Sequence, residues 1–147
     1  MKVALINGSP HKEGCTNRAL IEIKNQLLKE GIDSEIIWIG NDAISSCRGC
    51  GACSQLKKCV IDDCVNEFGE MIDKFDGFIF GSPVHYAAIS GNLSSFMSRL
   101  FFSKKPSGNF YLKPAAGISV ARRAGTLSAF DQMNKFFTIS FYFTFDT

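Results

Sequence analysis

The strongest constraint on the fold is that short, unbroken apolar runs take turns with stretches of helical period. Val3 to Ile6 is too short for a helix and lacks polar alternation, so it reads as a strand covered on both faces, ended by Gly8 and Pro10. Asn17 to Glu30 then carries Leu20, Ile23, Leu27 and Leu28 on one helical face and stops at Gly31. Glu35 to Ile39 predicts a second strand, and Val65, Phe68, Ile72 and Phe75 a second helix. Phe78 to Pro83 predicts a third strand running into a turn. Leu93, Phe96, Met97, Leu100 and Phe101 share a face of a further helix, Ala116 to Ala121 is a fourth strand, and Leu127 to Phe137 a fourth helix.

Strands that alternate with helices imply an α/β fold, a doubly wound parallel sheet with helices on both faces in three layers. The continuous apolar strands agree, because both of their faces would be covered. In such sheets ligands bind beyond the carboxyl ends of the strands, near the point where strand order reverses. That rule selects the loops at residues 8–17, 82–91 and 121–126.

The 147 residues leave room for a single domain, 1–147, with one core. Its end is harder to place. Ser140 to Thr147 reads as a fifth strand with no helix after it, so the domain is expected to be short at the C-terminus, its final helix missing. Three phenylalanines and a tyrosine in that tail would leave much apolar surface for a partner to cover.

A formal net charge of +2, with no Lys/Arg run longer than two, argues against nucleic acid or an anionic membrane as partner. No stretch approaches a membrane span, and the apolar run at the N-terminus is too short for a secretion signal. The expectation is a cytoplasmic protein whose partners are small molecules or proteins. Its six cysteines then belong to a reducing compartment, where metal or redox work outweighs disulfides.

Between the first strand and first helix lies Gly8-Ser9-Pro10-His11-Lys12-Glu13-Gly14-Cys15-Thr16-Asn17. It matches neither the Walker A pattern nor G-x-G-x-x-G. It does offer two glycines, the hydroxyls of Ser9 and Thr16, and the N–H groups of a helix start, which together favour an anion such as a phosphate monoester. The alternative is that Thr16 is only an N-cap and Ser9-Pro10 only a turn.

That loop, followed by Gly81-Ser82-Pro83-Val84-His85-Tyr86 and Ser90-Gly91-Asn92-Leu93, resembles the NADPH-dependent FMN reductase family, over nearly the whole chain up to about Ser140. The resemblance implies a flavodoxin-like fold, with Ser9, His11, Cys15, Thr16 and Asn17 around an FMN phosphate and Pro83, Val84, His85 and Tyr86 lining the isoalloxazine ring. It also implies homodimers or homotetramers. A flat side chain and backbone donors are what a planar ring requires, and this turn can supply both. Arg122 and Arg123, after the fourth strand, can meet a nicotinamide phosphate or the flavin edge, or lie solvated in a loop.

Cys47, Cys50, Cys53 and Cys59 form C-x2-C-x2-C-x5-C, with Gly49, Gly51 and Ala52 small enough to let the backbone approach inorganic sulfide. Four thiolates suit an iron–sulfur cluster; zinc, a redox C-x-x-C pair and metal-free thiols remain open. The spacing resembles that of the iron–sulfur flavoprotein branch of the same family, which implies a [4Fe-4S] cluster. Cys64 reads as structural, and Cys15 as a small residue in the phosphate loop.

No acid–base pair or Ser-His-Asp order stands out, so no catalytic side chain is assigned; hydride transfer to a flavin requires none. The expected activity is FMN-dependent NAD(P)H oxidoreduction, with electrons passing, singly where a cluster is present, to a quinone, a flavin or a redox protein. The alternative is a flavodoxin-type carrier without a substrate site. Such carriers are strongly acidic, and a charge of +2 disfavours it.

Overall fold

The computed structural model describes residues 1–141. Strand β1 (Lys2–Asn7) leads into α1 (Cys15–Lys29), and β2 (Asp33–Trp38) into α2 (Cys53–Leu56) and α3 (Cys64–Met71). A 3-10 turn (Ile72–Lys74) precedes β3 (Gly77–His85) and the short β4 (Ala88–Ile89). There follow α4 (Gly91–Lys104), a second 3-10 turn (Lys105–Ser107), β5 (Ala115–Val120) and α5 (Thr126–Phe141). The parallel strands lie in the order β2-β1-β3-β5, and β4 folds back antiparallel on the end of β3. Strand order therefore reverses at β1, with the crevice between the carboxyl ends of β1 and β3.

Alternation along the strands divides the core. Ala4, Ile6, Phe78 and Phe80 face α3, α4 and α5, while Val3 and Leu5 face α1 through Leu20. The first side is dominated by phenylalanine: Phe68 lies 5.6 to 6.4 Å, ring to ring, from Phe75, Phe78 and Phe96. Truncating one such buried ring costs about 3–5 kcal/mol. On the α1 side, Ile79 and Ile118 are half-buried and Ala116 is exposed.

Three expectations change in detail. The third strand, expected to end at Pro83, continues to His85; Pro83 pairs with Val120, the last residue of β5, where a missing N–H interrupts nothing further along that ladder. The second predicted helix breaks after Met71 into a 3-10 turn, yet Val65, Phe68, Ile72 and Phe75 all stay in the core. Of the predicted fifth strand, Ser140 and Phe141 belong to α5, whose Ala129, Met133 and Phe137 recur at four-residue spacing into the core; 142–147 lie outside the described residues.

Candidate functional site

The loop after β1 is held from several directions. Asn7, fully buried at the strand end, accepts from the Ser9 N–H through Oδ1 (3.0 Å) and donates from Nδ2 to the Lys12 carbonyl (3.1 Å). Trp38, at the end of β2, donates its indole N–H to the Ser9 carbonyl at 2.8 Å, and the Lys12 ammonium sits 5.8 Å from the centre of the Trp38 ring. Gly8 donates its N–H to the Gly81 carbonyl (2.8 Å), joining the ends of β1 and β3. A Cβ at Gly8 would stand 2.8 Å from Leu93 Cβ, so only glycine fits there.

Ser9 is buried, and its hydroxyl accepts from the His11 N–H at 3.1 Å, which leaves the hydroxyl proton free for an anion. The N-cap of α1 is Gly14, with no side-chain cap; Thr16 is buried within the first turn, so the reading of Thr16 as an N-cap does not hold. In α3 and α4 the corresponding N–H groups are capped by Asp63 and Ser90. The first turn of α1 therefore lacks the side-chain acceptor those helices have, at the spot where the dipole favours a negative ligand. Cys15 and His11 are exposed and Asn17 half-buried along the same rim.

The second wall of the crevice is the β3–β4 hairpin, with Val84 opposite Ile89 and His85 opposite Ala88. Its two turn residues, Tyr86 (φ 49°) and Ala87 (φ 60°), both lie in the left-handed region without being glycine. Such residues cost on the order of 1 kcal/mol each and persist where the surroundings impose them. Ser82, fully buried, accepts from the Ser90 N–H, and the Ile89 N–H bonds to Gln132 of α5. Tyr86 stands fully exposed.

Val84, Tyr86 and Ala87 share an open cavity of about 1000 Å³ with Ala121, Arg122, Arg123 and Gly125 from the β5–α5 loop. Gly125 takes φ +91° and passes so close to Ala87 that a Cβ would lie 2.8 Å from its Cα. Of the residues expected around the ring, Val84, Tyr86 and Arg122 thus come together. Pro83 and His85 alternate with Val84 to the other side of the strand.

Cys47, Cys50, Cys53 and Cys59 all line one further cavity, with Arg48, Arg99 and Phe102. Gly49 (φ +64°) and Gly51 (φ +72°) bend the loop, and the Gly49 N–H points at Cys47 Sγ at 3.5 Å. Cys59 is the most firmly fixed: its N–H donates to Asn66 Oδ1 (3.0 Å), its carbonyl accepts from Asn66 Nδ2 (2.9 Å), and Arg99 Nε donates to its sulfur at 3.3 Å. Burial works against the Arg99 charge, but hydrogen bonds to Asp63 and Cys59 outweigh it and hold the guanidinium above its ordinary pKa. Burial, then the charges of Asp63 and Glu67, push the Cys64 thiol up to about 11, in keeping with a structural residue.

Among the described residues no three His, Cys, Asp or Glu side chains converge on a point that would grip one ion. A cubane cluster makes a different demand, one thiolate per iron around a body, with N–H donors to sulfur. Four thiols on one cavity wall, with donors from Gly49 and Arg99, fit that demand in kind. Asn7, Trp38 and Arg99 escape a reading of the sequence. Arg99 lies between core positions Met97 and Leu100, and nothing local marks it as a buried charge.

Loops gathered at the carboxyl ends of β1, β3 and β5, the first tied to β3 and to the start of α4 through Gly8, on a parallel sheet flanked by helices, are the architecture of a flavodoxin-like protein. The chain belongs to the NADPH-dependent FMN reductase family, whose model matches residues 1–146, and is an oxidoreductase of that flavin-dependent class. It is 35% identical over 143 residues to an iron-sulfur flavoprotein of Methanocaldococcus jannaschii, covering 95% of this chain and 72% of that one. It is 31% identical over 122 residues to an iron-sulfur flavoprotein of Methanosarcina thermophila, covering 82% of this chain; it spans 62% of that relative's length. Among solved structures, the flavoenzyme NAD(P)H:(acceptor) oxidoreductase FerB from Paracoccus denitrificans superposes with a TM-score of 0.67 at 15% identity, covering 99% of this chain and 76% of that one, a likeness of fold. No described helix is long and apolar enough to cross a membrane.

Proposed function

We propose that the crevice holds FMN, with its phosphate on the 8–17 loop and its ring against the hairpin, and that the chain passes electrons from NAD(P)H to a quinone, a flavin or a redox protein. The observation that carries this reading is the start of α1: a long helix without a side-chain cap, opening beside the free hydroxyl proton of Ser9 at the sheet's switch point. Bound FMN would supply acceptance of an electron pair as hydride and its release one electron at a time. The chain's own part is to fix the phosphate with Ser9 and the first turn of α1, to seat the ring between Val84 and Tyr86, and to offer Arg122 as a cation at the cavity mouth.

Cys47, Cys50, Cys53 and Cys59 would hold a [4Fe-4S] cluster, one thiolate to each iron, which adds one-electron transfer. The names of the two relatives point the same way. The carrier reading is less favoured, because such carriers are strongly acidic and this chain has a formal net charge of +2.

The test is anaerobic reconstitution with FMN, iron and sulfide, followed by gel filtration, absorption spectroscopy and iron and labile-sulfide analysis. One flavin and four irons per chain, with steady NAD(P)H oxidation, is the expected outcome. Folded protein that elutes colourless refutes the flavin site; bound flavin without NAD(P)H turnover restores the carrier.

A further inference from the structure

Arg99 is 1% exposed, the largest fully buried side chain among the described residues, on a helix whose other buried positions include Phe96, Leu100 and Phe101. All five of its N–H groups are engaged. Nη1 donates to Asp63 Oδ2 (2.5 Å) and the Ser45 carbonyl (3.4 Å), Nη2 to Asp63 Oδ1 (2.9 Å) and the Ile61 carbonyl (2.7 Å), and Nε to Cys59 Sγ (3.3 Å). Four bonds fix the plane of the guanidinium, and the fifth is left aimed at the sulfur. Asp63 is itself held, since it caps α3 through the Val65 N–H at 3.0 Å. The ion pair by itself argues little for stability: Asp63 is only half-buried, and even fully buried pairs are often replaceable by apolar side chains without loss. What an apolar side chain cannot reproduce is a rigid N–H donor on the thiol.

We propose that Arg99 is a positioning residue for Cys59, which orients its sulfur toward the cysteine cavity and hydrogen-bonds to it in the loaded protein. This inference rests on the cluster reading above. A hydrogen bond to a ligand sulfur withdraws electron density from the cluster, so it raises the reduction potential. It also slows loss of the iron that Cys59 holds, since removing a partner of a metal ligand typically costs about 10–100-fold in affinity.

Two variants separate this role from plain structural support. Arg99→Lys keeps the charge opposite Asp63 and removes the Nε donor. The double variant Asp63→Asn/Arg99→Met removes donor and ion pair together, leaves the summed charge of the pair unchanged, and keeps an N-cap of good quality on α3. FMN content and far-ultraviolet dichroism report the fold, and the redox titration is followed by electron paramagnetic resonance.

Relative to wild type, both variants are expected to retain FMN at an unchanged flavin potential, to show a more negative cluster potential, and to lose iron to a chelator about 10-fold faster. If Arg99→Lys fails to bind FMN, the double variant decides on its own. A loaded variant whose cluster potential matches that of wild type overturns the role of Arg99 alone. Wild-type protein that binds FMN but takes up no iron or labile sulfide overturns the cluster reading and this inference with it.

Discussion

Ser90 donates its hydroxyl to the Gly8 carbonyl at 2.6 Å, across 82 residues of chain, while the same oxygen accepts from the Leu93 N–H at 3.2 Å to cap α4. One oxygen thus ties the loop after β1 to the start of α4, and the Ser90 N–H adds the hairpin through Ser82. Replacing Ser90 by alanine removes a cap and leaves the Gly8 carbonyl buried without that donor. The expected cost is about 1–3 kcal/mol of stability, read as a lower denaturation midpoint, with a parallel loss of FMN affinity by fluorescence titration.

Gly8→Ala places a Cβ 2.8 Å from Leu93 and 2.9 Å from the Gly81 carbonyl. Neither neighbour is free to move, because one is core and the other is ladder backbone. Overpacking of this kind costs about 1–3 kcal/mol. Flavin retention on gel filtration is expected to fall further than stability does, since the displaced loop is the proposed phosphate site.

Trp38, the sole tryptophan, is bonded to the Ser9 carbonyl at 2.8 Å. Its emission is therefore expected to change as FMN titrates into the protein. Trp38→Phe keeps a ring but removes the indole donor; it is expected to weaken FMN binding about 5- to 10-fold, the worth of one hydrogen bond of about 1 kcal/mol, with the fold intact by circular dichroism.

Arg122 shares the open cavity with Tyr86. Should it meet the nicotinamide nucleotide, Arg122→Ala raises KM for NAD(P)H about 10-fold with kcat little changed, the pattern of lost uniform binding. A fall in kcat at constant KM would place the arginine at the flavin edge instead.

Cys64 gives a pH signature. Its thiol titrates near 11 in the folded chain against an ordinary 9.0. The unfolded chain therefore releases the proton first, so this contribution to stability is complete below pH 9 and is lost as pH rises from 9 toward 11. Denaturation midpoints of wild type and Cys64→Ala across that range are expected to converge as the pH climbs.

The parallel sheet was legible because its strands are continuous apolar runs and its helices keep their period, which local sequence encodes directly. The cysteine cavity was legible because four thiols at short spacing need few long-range facts to bring them together. Other features depend on distant partners. Arg99 is buried because Asp63, Ile61 and Cys59 meet it from 36 to 40 residues away, and no window around Arg99 contains them. Trp38 reaches Ser9 only because β2 lies beside β1. Proline usually ends a strand, which is why the sequence places the turn just after Pro83; the ladder with β5 does end there, but β3 runs on for two residues because β4 folds back to pair with it.

Helix α4 touches the phosphate loop at its cap and the cysteine cavity nine positions later, a separation of about 14 Å along its axis and two and a half turns around it. The helix therefore works as a ruler, with its two marks on opposite sides. Deleting one residue between Ser90 and Arg99 would swing the guanidinium by about 100° and draw it in by about 1.5 Å, out of register with the thiol. Length variation in a lineage carrying both marks is thus expected in the loops and not in this helix.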